Sequence, residues 1–243
     1  DDMVSRGLGD VYKRQVIVEP IAGNMGFIEP DKKFLKTLRS LCTKNKSILI
    51  FDEVMTGFRV ARGGVQELFN IKPDLTALGK IVGGGLPVGV YGGKAKIMNN
   101  ISPDGPVYQA GTLSGNPVAV SAGTALLKQL KNKKMFSELE RKGEIFLKGL
   151  KEEAKKNGIP FCYNIRGGMF GFFFSNKLPK NFQEVSDTNI SMFNKFFRLM
   201  LEQNVYLPPS AFESCFLSTE HTQEQLMKTV KLSSNVFKNL NNG

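Results

Sequence analysis

The stretch ILIFDEVMTGFRVARGGVQELFNIKPDLTALGKIVGGGLPVGVYGG, residues 48–93, decides the fold of this chain. The apolar run Ile48–Phe51 predicts a buried strand that ends at Asp52, and Leu75–Ala77 predicts a second strand that leads into Lys80 and a glycine-rich turn. The segment between them is long enough for one crossover helix, which is typical of parallel strands. Because ligands bind beyond the carboxyl ends of strands in open α/β sheets, Asp52 and Lys80 are expected to face one crevice.

The flanking sequence extends this strand–helix alternation. Val16–Val18 and Val88–Tyr91 predict two further strands, and Asp31 is a helix N-cap before apolar residues at helical spacing. The apolar runs are continuous, as in strands that are covered on both faces. The pattern therefore predicts an α/β fold with a mostly parallel sheet and helices.

The pattern changes in the second half of the chain. Asn116-Pro117 predicts the start of a helix to about residue 130, and a longer helix is expected from about 135 to 157. Short strands and helices follow, with a capping box at Thr222–Gln225 and a core strand in MFGFFF, residues 169–174. We therefore expect one domain over residues 16–157 and a small α+β domain over residues 158–243. Residues 1–15 are polar and aperiodic, and we expect them to be non-native sequence.

The composition argues against several classes of function. Hydrophobic residues make up 41% of 243 residues, enough for a sizeable core, and no apolar run approaches the ~20 residues of a membrane span. Three widely spaced cysteines and one histidine argue against structural zinc and fit a reducing compartment. The net charge of +11 could indicate nucleic-acid binding, but no recognition motif accompanies it, so a solvated basic surface is the simpler interpretation.

An acid and a lysine at neighbouring strand ends suit pyridoxal 5'-phosphate. The lysine forms a Schiff base with the cofactor and the acid pairs with the pyridinium nitrogen. The apolar and glycine neighbours of Lys80 favour a desolvated, nucleophilic amine over an ordinary surface lysine, whereas Asp52 could also be a turn or helix-cap acid. Gly111–Pro117 (GTLSGNP) enters a helix and could bind an anion, or simply cap that helix. His221, beside the last helix, is expected to be structural.

Several motifs resemble one family. FDEVMTGFR, PDLTALGKIVGGGLPVG and YQAGTLSGNP, with MFGFFF and LPPSAFE (207–213), are similar to the glutamate-1-semialdehyde 2,1-aminomutases, which are class-III aminotransferase relatives of fold type I. The resemblance implies that Lys80 forms the Schiff base and moves protons, and that Asp52 pairs with the ring nitrogen. It also implies that Gly111 and Thr112 reach the cofactor phosphate of a neighbouring subunit in a homodimer, and that Glu213 lies near the substrate.

The implied reaction converts glutamate-1-semialdehyde to 5-aminolevulinate for tetrapyrrole synthesis. It starts from the pyridoxamine form of the cofactor. The resemblance implies neither a nucleic-acid nor a membrane partner. It also implies that the enzyme acts in the bacterial cytoplasm or in a plastid. The family's subunit is much longer, and its N-terminal half supplies a phosphate loop, a ring-stacking aromatic residue, a substrate-binding arginine region and a lid. We therefore expect this chain to be a C-terminal portion of the large domain plus the small domain. Alone it should be inactive or barely active, with Val16 in an exposed edge strand.

Two alternatives remain at this point, besides the nucleic-acid binding that the net charge could indicate and that ranks third. One is another class-III aminotransferase of amines or ω-amino acids, which needs an external amino acceptor. The other is a non-catalytic fragment that folds as a partner of a full-length subunit.

Overall fold

The structure, a computed structural model, describes residues 14–241. The segment predicted to be non-native, residues 1–15, lies outside this range except for Arg14 and Gln15, and Gln15 pairs with Ile48 in a strand. The chain forms two compact units. The first contains residues 14–20 and Pro30–Lys131, and the second contains Ile21–Glu29 and residues 132–241.

The first unit is built on a four-stranded sheet in the order β1-β2-β3-β4. The strands are β1 (Gln15–Val18), β2 (Ile48–Asp52), β3 (Leu75–Leu78) and β4 (Val90–Gly93). The first three are parallel, and β4 runs antiparallel to β3. The predicted α/β class with a mostly parallel sheet is confirmed.

Strand β4 lies two residues further along the chain than the predicted Val88–Tyr91. Gly92 and Gly93, which were predicted to end the strand, pair with Thr76 and Leu75. A Cβ atom at Gly93 would lie 2.1 Å from the carbonyl oxygen of Asp74. Glycine is therefore required for the close approach of the two backbones, which outweighs its low strand propensity.

Two helices of the first unit, those after Asp31 and Asn116, begin where the sequence predicts. They are α1 (Lys32–Lys44), α2 (Gly64–Phe69), a 3-10 helix (Lys80–Gly83), α3 (Ala95–Met98) and α4 (Pro117–Gln129). Asp31 Oδ1 accepts from the N–H of Lys33 at 2.8 Å, and Asn116 Oδ1 accepts from the N–H of Val118 at 3.0 Å. Both predicted N-caps are confirmed.

The second unit packs helices on a three-stranded antiparallel sheet in the order β5-β6-β7. Its elements are α5 (Lys134–Lys156), β5 (Cys162–Arg166), β6 (Met169–Phe173), α6 (Phe182–Ser186), α7 (Ile190–Glu202), β7 (Cys215–Phe216) and α8 (Gln223–Asn241). The MFGFFF run is buried throughout, as predicted, with Phe172 stacked on Phe161 and Phe193. The capping box is also confirmed, because Gln225 N–H donates to Thr222 Oγ1 at 3.1 Å.

The two units divide before the long helix and not after it, at Lys131/Asn132 instead of the expected 157/158. Helix α5 buries Leu139, Phe146 and Leu150 in the same core cluster as residues of β5, β6 and α8. Ile21–Glu29 also belongs to the second unit, where Glu29 accepts from the guanidinium of Arg166 at 3.1 Å. Helix α5 therefore belongs to the second unit, because its long apolar face packs in the core of that unit. Among residues 14–241, every helix is too short or too polar to cross a membrane.

Candidate functional site

The predicted acid and lysine follow neighbouring parallel strands at the same edge of the sheet. Asp52 is the last residue of β2 and is aligned with Ala77 of β3, and Lys80 begins the 3-10 helix after β3. The N–H of Glu53 donates to the carbonyl of Ala77 at 2.9 Å, which joins the two strand ends directly. The fold therefore places Asp52 and Lys80 at adjacent carboxyl ends, where ligands bind in open α/β sheets.

Lys80 has an unusual backbone conformation. Its φ angle is 52°, in the left-handed region that residues other than glycine rarely occupy. Such a conformation costs on the order of 1–3 kcal/mol and is found most often at functional sites. The preceding Gly79 packs closely on the first turn after β2, since a Cβ atom there would lie 3.1 Å from Val54 Cγ1. Lys80 is exposed, so the desolvated amine predicted from its apolar and glycine neighbours is wrong for this structure, whereas its backbone is strained.

The Asp52 carboxylate is half-buried and already makes one bond within its own turn. Its Oδ1 accepts from the N–H of Val54 at 3.1 Å. This is the local turn role that was the alternative interpretation of Asp52. A carboxylate has about four lone-pair positions, so the bond leaves acceptor capacity for a protonated ring nitrogen.

No sequence pattern predicts a role for Glu53, yet its side chain is 0% exposed. Its Oε2 accepts from Thr56 Oγ1 at 2.9 Å and from the N–H of Val65 at 2.8 Å, and Oε1 accepts from the N–H and the Nε2 of Gln66, both at 3.2 Å. A Cβ atom at Gly64, where φ is 66°, would lie 2.1 Å from Glu53 Oε2. The glycine pair at the start of α2, Gly63-Gly64, was therefore the available sequence signal for a group that must fit there.

The glycine-rich turn after Lys80 packs against helix α4. A Cβ atom at Gly84 would lie 2.5 Å from the carbonyl oxygen of Ala122, and one at Gly123 would lie 2.2 Å from that of Val82. Small residues on both sides thus allow backbone-to-backbone contact. Because α4 begins directly after the GTLSGNP loop, this contact fixes the loop relative to the Lys80 turn.

The GTLSGNP loop and residues 87–89, which follow the glycine-rich turn, line one cavity of about 310 Å³. Gly111 lies in its wall opposite Pro87–Gly89, whereas Thr112 is exposed and is not among the lining residues. Asn116 Oδ1 accepts from the N–H of Val118 at 3.0 Å and of Ala119 at 3.2 Å, so the capping interpretation of this loop is confirmed. An anion would have to use the amides and hydroxyls of the loop that precedes Asn116.

Glu213 lies in the second unit and is exposed. It lines a mainly apolar cavity of about 350 Å³ together with His221. The Nδ1 of His221 lies 3.0 Å from the N–H of Ser218, which donates to it. His221 therefore closes the turn before α8, which is a structural position of the kind predicted.

The sequence matches the model of the family described as "Aminotransferase class-III" over residues 14–226. It is 51% identical, over 98% of its length, to a glutamate-1-semialdehyde 2,1-aminomutase of Francisella tularensis subsp. tularensis, of which it covers 56%. It is 50% identical, over 96% of its length, to the protein of the same name from Francisella philomiragia, of which it covers 55%. The chain thus spans little more than half the length of these relatives.

Solved structures agree with this match. A β-phenylalanine aminotransferase from Variovorax paradoxus superposes with a TM-score of 0.87 at 25% identity, covering 99% of this chain and 56% of that one. An ω-transaminase from Sphaerobacter thermophilus gives 0.85 at 26% identity, with 99% and 56% covered. A glutamate-1-semialdehyde-aminomutase from Pseudomonas aeruginosa PAO1 in complex with PMP gives 0.80 at 20% identity, with 99% and 54% covered, which supports the fold alone.

Proposed function

Because this chain belongs to the class-III aminotransferase family, we propose that it carries the Schiff-base lysine of a pyridoxal 5'-phosphate-dependent glutamate-1-semialdehyde 2,1-aminomutase. The observation that carries the proposal is the placement of Asp52 and Lys80 at adjacent strand ends, in a chain 51% identical to proteins of that name. The chain spans 56% of the relative's length, so the whole conversion is proposed for the longer protein.

The residues present fit this cofactor. When it is bound, the pyridine ring withdraws electrons from the carbon attached to the substrate nitrogen. Lys80 would hold the cofactor through its side-chain amine, the group that can form a Schiff base with an aldehyde. The Asp52 carboxylate keeps the ring nitrogen protonated, which increases the electron withdrawal. The Lys80 amine would also be the base that moves protons between substrate carbons.

The remaining site residues serve binding. Gly111 and Thr112 contribute the loop to a phosphate site completed in a homodimer, and Glu213 contributes to the substrate site. The support for the first assignment is that Gly111 shares a cavity with residues 87–89, the segment that follows the glycine-rich turn. The support for Glu213 is its exposed position on the rim of a cavity. The place of action would be the cytoplasm.

The proposed reaction is an isomerisation. The amino group of glutamate-1-semialdehyde is lost from C2 and appears at C1, so C2 is oxidised to a ketone while C1 is reduced from an aldehyde to an amine. The two changes balance within one molecule, and 5-aminolevulinate forms without a second substrate.

A second candidate is amino transfer between two molecules. The structures of the ω-transaminase and the β-phenylalanine aminotransferase superpose with TM-scores of 0.85 and 0.87, so the fold serves that chemistry as well. Consumption of an external amino acceptor, with no 5-aminolevulinate formed, would favour this alternative.

The first experiment is covalent trapping. The chain is mixed with pyridoxal 5'-phosphate, freed of excess cofactor, reduced with borohydride and mapped by peptide mass spectrometry. We expect one modified peptide containing Lys80, no such peptide in Lys80→Ala, and unchanged labelling in the control Lys96→Ala, which removes an exposed lysine of α3. Equal labelling of Lys80→Ala, or trapping spread over many lysines, would contradict the assignment.

A further inference from the structure

We propose that Glu53 is a positioning residue of the cofactor site, which holds the turn after β2 and thereby orients both Asp52 and the Lys80 turn. The inference rests on the proposed function, since it takes Asp52 and Lys80 as the residues that contact the cofactor. Glu53 itself is buried among protein donors and does not face a ligand.

The side chain of Glu53 anchors the turn to helix α2. Four donors converge on its two oxygens: Thr56 Oγ1, the N–H groups of Val65 and Gln66, and Gln66 Nε2, at 2.8 to 3.2 Å. Gln66 Nε2 also lies 3.3 Å from Thr76 Oγ1 on β3. One carboxylate therefore connects the turn after β2, the first turn of α2 and, through Gln66, strand β3.

The backbone of Glu53 connects the turn to the residues before Lys80. Its N–H donates to the carbonyl of Ala77 at 2.9 Å, and its carbonyl accepts from the N–H of Gly57 at 2.8 Å. A Cβ atom at Gly57 would lie 2.4 Å from Leu78 Cδ2. Because Leu78 ends β3 and Val54 packs on Gly79, a displacement of the turn would reach Lys80 through close contacts.

A carboxylate is required at this position because every group around it donates. Glu53→Gln keeps the volume but replaces one acceptor oxygen by an NH₂ group. Depending on the orientation of the amide, that NH₂ group would face the backbone N–H of Val65 or of Gln66. A backbone N–H can only donate, so it cannot bond to another donor. At least one buried hydrogen bond is therefore lost, and the turn must move.

The test is amide hydrogen exchange in the wild-type chain, Glu53→Gln and the control Glu67→Gln. Glu67 is a suitable control because its carboxylate accepts from the N–H of Gly63 at 2.6 Å in the same loop but is exposed. For Glu53→Gln we expect roughly tenfold faster exchange of the Gly57 amide, and also of Val82 and Gly84 in the Lys80 turn, which corresponds to about one lost buried hydrogen bond. Glu67→Gln should affect only the amides near Gly63.

If Glu53 only stabilised the loop around it, its replacement would not speed up amide exchange in the Lys80 turn. Faster exchange confined to residues 63–67 in Glu53→Gln, or an equal effect of both variants at Val82, would overturn the proposal. If Glu53→Gln fails to fold, Thr56→Val removes a single donor at nearly constant volume and should give a smaller change in the same amides.

The cofactor supplies a second readout. With pyridoxal 5'-phosphate bound, the pH dependence of the visible absorbance should shift in Glu53→Gln and stay unchanged in Glu67→Gln, because Asp52 has moved relative to the ring. An unshifted pH profile in Glu53→Gln would overturn the positioning role. If the wild-type chain binds no cofactor, the proposed function of the chain fails, whereas the exchange experiment still decides whether Glu53 orients the Lys80 turn.

Discussion

At the level of single residues, Asp74 is the acid whose ionisation contributes most clearly to stability. It is buried at the start of β3, where Oδ2 accepts from Arg39 Nη1 and from the N–H of Leu49, both at 2.8 Å, and Oδ1 pairs with Lys94. Burial raises the pKa of this carboxyl, but the bonds from Leu49, Lys94 and Arg39 together outweigh it and lower the pKa. The charged form is therefore the one that the fold stabilises.

This shift predicts how stability depends on pH. Because the pKa of Asp74 is lower in the folded state than its unfolded value of about 3.9, its contribution is complete above that pH and is lost as pH falls through the folded pKa. Asp74→Asn should lower the free energy of unfolding by about 2–4 kcal/mol at pH 7, and the difference from wild type should shrink towards pH 3. Urea unfolding at several pH values checks this.

The control for this prediction is Asp104→Asn, which changes an exposed acid of the first unit. It should leave the free energy of unfolding within about 0.5 kcal/mol of wild type. A difference between Asp74→Asn and wild type that stays constant from pH 7 to pH 3 would contradict the predicted ionisation.

At the level of residues, the sequence predicts where Asp52 and Lys80 lie but not that Glu53 is buried, and the roles of Asp52 and Lys80 stay a prediction. The positions of Asp52 and Lys80 follow from the strands before them, because a parallel strand ends at a defined edge. Glu53 follows an acid in a polar turn, where an exposed side chain is the ordinary expectation. Its burial depends on amides of residues 65 and 66, which only the folded chain brings to it.

At the level of elements, the contact between α4 and the glycine-rich turn is sensitive to substitution. Gly123→Ala would place a Cβ atom 2.2 Å from the carbonyl oxygen of Val82. Alanine favours the helix by about 0.5–1 kcal/mol, but overpacking against backbone costs about 1–3 kcal/mol or more. We expect net destabilisation, measured by urea unfolding, with weaker cofactor trapping at Lys80 because the turn is displaced.

Gly89→Ala is the matched control, because a Cβ atom there meets nothing within 4 Å. It should unfold within about 0.5 kcal/mol of wild type. Equal stability of the Gly123 and Gly89 variants would show that α4 does not press on the turn.

Local sequence signals predicted the elements well where one side chain determines the structure. The caps at Asp31, Asn116 and Thr222 are examples, since each side chain binds an amide two or three residues away. Strand β4 lies two residues later than predicted because its glycines are needed for contact with Asp74, which is distant in sequence. The assignment of α5 to the second compact unit likewise depends on distant residues, since the partners of α5 come later in the chain.

At the level of the whole molecule, the first unit exposes much apolar surface. Residues 106–118 are all exposed, with Tyr108 83% exposed, and the neighbouring apolar side chains are also accessible: Val107, Leu113, Val118 and Val120. Contiguous apolar patches of this kind mark interaction surfaces. This supports the proposal that the GTLSGNP loop forms part of a subunit contact.

Strand β1 is the second exposed apolar surface, and the last prediction concerns it. Among the strands of residues 14–241 it lies at the edge of its sheet, and Ile17 is 63% exposed on it. An exposed apolar edge offers unpaired backbone groups to another chain, whereas a lysine there opposes such pairing. Ile17→Lys should therefore reduce concentration-dependent association in light scattering, while Ile145→Lys, a change at a 38% exposed position on α5, should not. If Leu113→Ser and not Ile17→Lys lowers association, the loop of residues 106–118 and not the strand edge is the sticky surface.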